Sequence, residues 1–277
     1  MQRVSRDVTA RGVRMRVVEA GEGNGMPLVL IHGFLTSHLE FDEVIDELAE
    51  SFYVIAPDLP GFGESEKPNP SRYSYSIETF AEAVADIIAA YGVGRACILG
   101  HALGGAVAIT LAAHYAELVT RLVLVDPLSY PHPPNRKLRA PLWPGVGGLM
   151  FKQLFGRRRF RNYFKDEVFS RGFDVPWARL DLLYHQFNTP SARESAYAVL
   201  RSMLDTRPVV ARVSRVRHPA LVVWGRDDRI VPAAFALKLS RELANGRLEL
   251  MDCGHCPHEE HPHEFTAVVR EFFEGKR

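Results

Sequence analysis

Short apolar runs alternate with stretches of helical periodicity over most of the chain. Residues 28–31 form a continuous apolar run between Pro27 and Gly33, typical of a strand buried on both faces. Similar runs predict strands at 53–56, 96–99, 122–125, 220–224 and 248–251. Helical spacing predicts helices at 39–49, 77–91, 103–115, 232–243 and 265–273. Apolar and polar residues alternate over residues 13–18, which predicts the first strand, in a hairpin before Gly21.

These repeated strand–helix units predict an α/β fold with a mainly parallel central sheet and helices on both faces. The alternation stops at residues 128–215, where the sequence is rich in Pro, Arg and aromatic residues and contains no clear strand pattern. We predict one core built from residues 1–127 and 216–277, with residues 128–215 inserted as a helical lid.

Composition and charge exclude several classes of protein. The chain has 277 residues, 47% of them hydrophobic, which is enough for a large core. Its net charge of +1 gives no global sign of a nucleic-acid partner. Three cysteines are too few for a disulfide framework and suit a reducing compartment. We expect a cytoplasmic protein without a signal peptide or a membrane-spanning segment.

The stretch from Leu99 to Gly105 carries the most specific chemical signal. A predicted strand runs directly into a predicted helix through small residues, which is the setting of the G-x-S-x-G nucleophile elbow. Gly100 and Gly104 flank the central position, which such a turn projects at the carboxyl end of the sheet. The central residue is Ala102, whose methyl group cannot attack a carbonyl.

Four further motifs accompany this elbow: His32-Gly33-Phe34, the loop 58–65 (DLPGFGES), the segment 224–232 (WGRDDRIVP) and the segment 254–259 (GHCPHE). With these five motifs in this order, the chain resembles the α/β-hydrolase superfamily over nearly its whole length. The resemblance is greatest to the branch of lidded esterases and carbon–carbon bond hydrolases. The resemblance implies hydrolysis of an ester or related acyl bond, or of a carbon–carbon bond next to a carbonyl. Ala102 departs from it, because the family has serine or aspartate there.

The resemblance also implies roles for particular residues. Asp228 and His255 follow the elbow in the chain order of this fold, as the acid and the base of a Ser-His-Asp mechanism. Asp126 is the other place where this fold can keep its acid, but we read it as a turn residue before Pro127. Backbone N–H groups of Phe34 and Leu103 are the predicted oxyanion hole. The predicted substrate-binding residues are His32, Gly33, His101 and Trp143.

Two accounts of Ala102 remain open: a deliberate serine-to-alanine replacement, or a natural alanine. A replacement implies a hydrolase whose turnover is abolished or very weak, whereas a natural alanine implies a pseudo-hydrolase or chemistry without a covalent intermediate. The alternatives are a natural pseudo-hydrolase that binds a small molecule, and a lyase or cyclase that uses the His255–Asp228 dyad as a general base. The expected partner is a small acyl or carbonyl compound, and no metal or organic cofactor is implied.

Three other patterns carry less specific signals. Cys253 and Cys256 form a C-x-x-C, but only 21 residues follow it, too few for the fold of a dithiol oxidoreductase. The histidines around it suggest zinc, yet no second matched ligand pair exists in the sequence. Cys97 reads as a core residue. The basic run 157–161 is predicted to be a solvated helix face. The alternatives are that it steers an anionic substrate or contacts an acidic partner.

Overall fold

A computed structural model describes residues 2–134 and 136–275; residue 135, inside the predicted lid, lies outside that description. An eight-stranded sheet forms the centre, in the order β1-β2-β4-β3-β5-β6-β7-β8. The first two pairings, β1 with β2 and β2 with β4, are antiparallel, and the others are parallel. The strands are β1 (Arg3–Ala10), β2 (Val13–Ala20), β3 (Met26–Ile31), β4 (Phe52–Pro57), β5 (Ala96–His101), β6 (Val119–Val125), β7 (Pro219–Gly225) and β8 (Asn245–Met251). The mainly parallel α/β fold is therefore confirmed.

Strand β1 is the element that the sequence pattern misses. Most of its side chains are exposed, because it is an edge strand and pairs with β2 alone. An edge strand without a buried face leaves no alternation of apolar and polar residues to detect. The hairpin consequently turns at Arg11 and Gly12, before the strand that we read as the first, and not at Gly21.

Helices cover both faces of the sheet, so its central strands are apolar throughout. Ile98 of β5 points into one core cluster, while its neighbours Cys97 and Leu99 point into the other. Cys97 is fully buried, as expected of a core residue. The core helices are α1 (Asp42–Leu48), α2 (Ile77–Ala90), α3 (Leu103–His114), α10 (Ala234–Glu242), α11 (Pro257–Glu260) and α12 (Pro262–Phe273).

Residues 128–215 lie between β6 and β7 and contain helices but no strand among those described. We call this block the helical insertion. Stacked and edge-on rings of Phe151, Phe155, Phe160 and Phe187 form its own apolar centre. Its helices are α4 (Arg136–Arg139), α5 (Gly147–Leu154), α6 (Arg157–Tyr163), α7 (Trp177–Phe187), α8 (Pro190–Ser202) and α9 (Arg207–Val213). None of the described helices of the protein is long and apolar enough to cross a bilayer.

Candidate active site

The elbow lies between β5 and α3, with Ala102 at its apex. Ala102 has φ +48° and ψ −109°, a conformation that costs free energy for any residue with a Cβ. A Cβ on Gly100 would lie 2.2 Å from the carbonyl oxygen of Gly104, and one on Gly104 would lie 2.0 Å from that of Ile31. Both positions therefore require glycine. The tight packing that presents a nucleophile is intact around a methyl group.

Asp228 and His255 meet at the carboxyl ends of β7 and β8. The Nδ1 of His255 lies 2.7 Å from Oδ2 of Asp228. The other oxygen of Asp228 accepts hydrogen bonds from the backbone N–H groups of Ile230 and Val231, at 2.7 and 3.0 Å. These contacts fix the carboxylate, and the carboxylate holds the imidazole in the tautomer that leaves Nε2 as the base.

Asp126 is the residue that the sequence reading underestimated. It follows β6 with φ +42°, is fully buried, and accepts a hydrogen bond from Gly225 N at 2.9 Å. Its carboxyl group also contacts that of Asp228. Burial, and then the negative charge of Asp228, raise the pKa of Asp126 well above its usual range. Burial and the charge of Asp228 therefore favour the protonated form of Asp126, which could donate to a carboxylate oxygen of Asp228. A turn residue and a buried acid look alike in sequence.

A second buried pair lies beneath the elbow. His101 places Nδ1 3.2 Å from Oε1 of Glu40 and Nε2 2.9 Å from the carbonyl oxygen of His255. The carbonyl oxygen of His255 and an ionised Glu40 both accept, which favours protons on both ring nitrogens and the imidazolium form of His101. Burial alone would lower the pKa of His101, but the carboxylate of Glu40 outweighs it and raises that pKa. Burial alone would raise the pKa of Glu40, and His101 instead lowers it to about 2.

An apolar cavity opens above the elbow, between the core and the helical insertion. Ala102, His255 and the two predicted oxyanion-hole residues, Phe34 and Leu103, all line it. Leu103 begins α3, and the first N–H groups of a helix have no acceptor within the helix. The remaining lining is mostly apolar, from Leu128, Pro131, Leu138, Tyr163, Phe164, Val168, Leu200, Met203, Leu204, Ile230 and Val231. Such a site suits an apolar ligand with a polarised carbonyl.

The four predicted substrate-binding residues lie in different places. His101 lines the cavity. His32 and Gly33 are buried and do not line it: His32 accepts from Leu59 N at 2.8 Å and donates to Gly33 O at 2.8 Å, which fixes the loop before Phe34. Trp143 also lies outside the lining and is 62% exposed on the helical insertion. Sequence could not position Trp143, because its place depends on how the insertion packs.

Two groups of donor side chains have the residue types of metal ligands. One donor atom from each of His101, Cys256 and His258 lies within 4.8 Å of the others, and the same holds for Asp126, Asp228 and His255. Both nitrogens of His101 already donate hydrogen bonds, so the first group lacks a free imidazole lone pair there. In the second group, the Nδ1 of His255 is held by Asp228.

Comparison with known proteins agrees with this geometry. The sequence model of the alpha/beta hydrolase fold family matches residues 26–262. A 2-hydroxymuconate semialdehyde hydrolase from Pseudomonas sp. (strain CF600) is 29% identical, over 97% of this chain and 93% of its own. A 2-hydroxy-6-oxo-2,4-heptadienoate hydrolase from Pseudomonas putida is 28% identical, over 97% and 96%. A crystal structure of a serine hydrolase involved in carbazole degradation superposes with a TM-score of 0.84 at 27% identity, covering 99% of both chains. The chain belongs to the α/β-hydrolase family.

Proposed function

We propose that this protein binds a small carbonyl compound in the apolar cavity and carries the site of a Ser-His-Asp hydrolase that lacks only its nucleophile. In the serine form, residue 102 would attack an ester carbonyl, or the carbonyl next to a carbon–carbon bond. His255 would take the proton from that serine, and Asp228 would orient His255. The N–H groups of Phe34 and Leu103 would bind the developing oxyanion.

The observation that carries this proposal is the intact His255–Asp228 contact of 2.7 Å beside a cavity that Ala102 lines. The dyad and the elbow beside one cavity support a covalent mechanism at residue 102, for which Ala102 supplies no hydroxyl. The relatives support a carbonyl substrate, since two of them are hydrolases of a semialdehyde and of an oxo-dienoate.

Because a methyl group cannot form an acyl-enzyme, we expect binding of such compounds with almost no turnover. Removing the serine from a hydrolase of this mechanism lowers turnover by about 10⁶-fold, which leaves weak catalysis from binding and the oxyanion hole. Mass spectrometry after incubation with an activated ester should find no adduct at residue 102.

The test compares Ala102→Ser with the unaltered chain on short p-nitrophenyl esters and on 2-hydroxymuconate semialdehyde. We expect the substitution to raise turnover by several orders of magnitude, because serine completes the mechanism. The double variant Ala102→Ser/His255→Ala is the matched control: it keeps the hydroxyl and lacks the base, so it should return to the background rate.

Two results would count against the proposal. If Ala102→Ser folds and turns over neither class of compound, the site does not perform acyl transfer. If the unaltered chain already turns over a carbonyl compound and loses that activity in His255→Ala, the dyad acts alone as a general base, and the protein is a lyase or cyclase.

A further inference from the structure

Helix α5 of the helical insertion, with Val146 just before it, turns several large apolar side chains to solvent. Val146, Leu149 and Leu154 are 50%, 64% and 55% exposed. On the opposite side, Phe151 and Phe155 are buried in the aromatic centre of the insertion. A surface helix normally presents polar residues to water, so large apolar side chains on the solvent side of a helix call for a partner.

The exposed apolar residues form a stripe along one side of this helix, with the exposed polar side chain of Gln153 between them. At about 100° per residue, positions 146, 149, 150 and 154 fall within about 140° of each other. Trp143, one turn earlier, is 62% exposed and extends the stripe. Four of the nine large apolar side chains exposed in the described chain are thus within 12 residues. Scattered exposed leucines need no explanation, but a contiguous apolar patch marks an interaction site.

The charge of the protein is unevenly distributed along the chain, although its net value is close to zero. Residues 128–215 contain 16 Lys and Arg against 6 Asp and Glu, a net charge of +10. The rest of the chain contains 18 against 27, a net charge of −9. The apolar stripe therefore lies on the strongly basic part of an almost neutral molecule.

Three consecutive arginines, residues 157–159, follow the end of the stripe. Arg157, Arg158 and Arg159 are exposed at the start of α6. Arg159 donates from Nη1 to the carbonyl oxygen of Leu154 at 3.1 Å, which holds its guanidinium beside the last residue of the stripe. Within residues 2–134 and 136–275, neither Arg158 nor Arg159 has a carboxylate within ion-pair distance. Both are available to an external anion.

We propose that the helical insertion docks on an anionic lipid bilayer. The stripe of Trp143, Val146, Leu149 and Leu154 would enter the boundary between headgroups and acyl chains, while Arg158 and Arg159 contact lipid phosphates. A membrane surface is the partner that offers an apolar phase and a dense layer of phosphates side by side, and tryptophan favours that boundary. Helix α8 links this surface to the cavity, since its Tyr197 packs on Gly148 of α5 and its Leu200 lines the cavity.

The test is sedimentation of the full chain with vesicles of equal parts phosphatidylcholine and phosphatidylglycerol, against vesicles of phosphatidylcholine alone. We expect binding to the mixed vesicles that weakens with salt. Arg158→Gln/Arg159→Gln should weaken it about tenfold or more, and so should Leu149→Gln/Leu154→Gln. The matched control is Leu237→Gln, which replaces a leucine that is 48% exposed on α10 of the core and should bind as the parent does.

Tryptophan emission gives a second measurement. Trp143 is the most exposed of the three tryptophans, so mixed vesicles should shift the emission to the blue, and Trp143→Phe should remove that shift while retaining sedimentation. Equal binding to neutral vesicles, no binding to either kind, or indifference to the leucine substitutions would overturn the proposal. So would dimerisation through the stripe, detected as a change in mass that Leu149→Gln/Leu154→Gln abolishes. None of these assays depends on residue 102, so their failure leaves the proposed function untouched.

Discussion

Asp126 and Asp228 are two neighbouring carboxyl groups next to His255, and the proton on Asp126 decides whether they attract or repel each other. Asp228 is held by two backbone N–H groups and by His255, and Asp126 adds a carboxyl group on its remaining side. A protonated Asp126 donates to that carboxylate, whereas an ionised one would repel it. We therefore expect Asp126 to position the predicted base, His255, through Asp228.

This arrangement makes the stability of the protein depend on pH through Asp126. The pKa of Asp126 is raised in the folded protein, so its ionisation costs stability as pH rises from about 4, where the unfolded side chain begins to lose its proton. Asp126→Asn keeps a donor and cannot ionise. We expect the free energy of unfolding of Asp126→Asn, relative to the parent, to increase from about pH 5 to about pH 8.

Denaturant titration at the two pH values measures the free energies of unfolding of the variant and of the parent. Their difference should change by about 1.4 kcal/mol for each unit by which the folded-state pKa of Asp126 exceeds the unfolded one within this pH range. The matched control is Asp227→Asn, which removes an exposed carboxylate next to the same site and should give a flat difference. A flat difference for Asp126→Asn as well would mean that Asp126 is ionised in the folded protein.

At the scale of elements, the short helical turn His38–Phe41 holds three parts of the site together. His38 contacts Asp58, at 2.8 Å from its Nδ1, and so anchors the loop 58–65. Glu40 accepts from Gly33 N at 3.0 Å in the oxyanion loop and pairs with His101 in the elbow. One turn thus contacts both the loop before Phe34, the predicted oxyanion donor, and the elbow that carries Ala102.

We therefore expect Glu40→Gln to destabilise the protein by about 3 kcal/mol near neutral pH, because it leaves the buried charge of His101 without its partner. The pKa of Glu40 is lowered to about 2, so the parent loses this contribution as pH falls from about 4.5. The difference in free energy of unfolding between the parent and Glu40→Gln should therefore become smaller at acid pH. Denaturant titration checks both statements, and Glu50→Gln, on an exposed carboxylate, should cost a few tenths of a kcal/mol at most. An equal cost at every pH would contradict the assignment.

Local patterns predicted the elements that this site stands on, but not the contacts among them. The buried strands and the glycines of the elbow are visible because apolar runs and steric limits act within a few residues. The pairing of Glu40 with His101 joins residues 61 positions apart, and neither residue differs locally from a surface side chain. Asp126 was considered as an acid but interpreted as a turn residue for the same reason, since only the neighbouring Asp228 and the burial explain its raised pKa.

For the whole molecule, the attachment of the helical insertion to the core is partly ionic. Arg179 of α7 forms an ion pair with the buried Glu259 of α11, four residues after His255, and another with Glu43 of α1 at 3.2 Å. Burial raises the pKa of Glu259 to about 7, although Arg179 acts in the opposite direction. The guanidinium of Arg179 therefore adds an ionic contact to the hydrogen bond from His255 N to Val168 O, at 2.7 Å, which also joins the insertion to the loop of the predicted base.

Arg179→Met should loosen this attachment. Without its partner, Glu259 is ionised only at a cost, so the destabilisation should grow as pH rises above about 7. Hydrogen exchange should increase in α7 and in the loop before α11. Arg207→Met, which removes an exposed ion pair with Asp205 on the same insertion, should leave exchange at these sites unchanged. Unchanged exchange in Arg179→Met would mean that the insertion is held without this ion pair, by packing and by contacts such as the hydrogen bond from His255 N to Val168 O.

The unequal distribution of charge has a consequence before any contact is made. With +10 on one part and −9 on the other, the protein is an electric dipole, although it is almost neutral as a whole. In the field of a negatively charged surface such a body experiences a torque rather than a net pull. It turns its insertion forward while still approaching, over a distance that shortens to about 8 Å at physiological ionic strength. Orientation is thus selected during diffusion, and dilute buffer should favour productive encounters more than the net charge alone suggests.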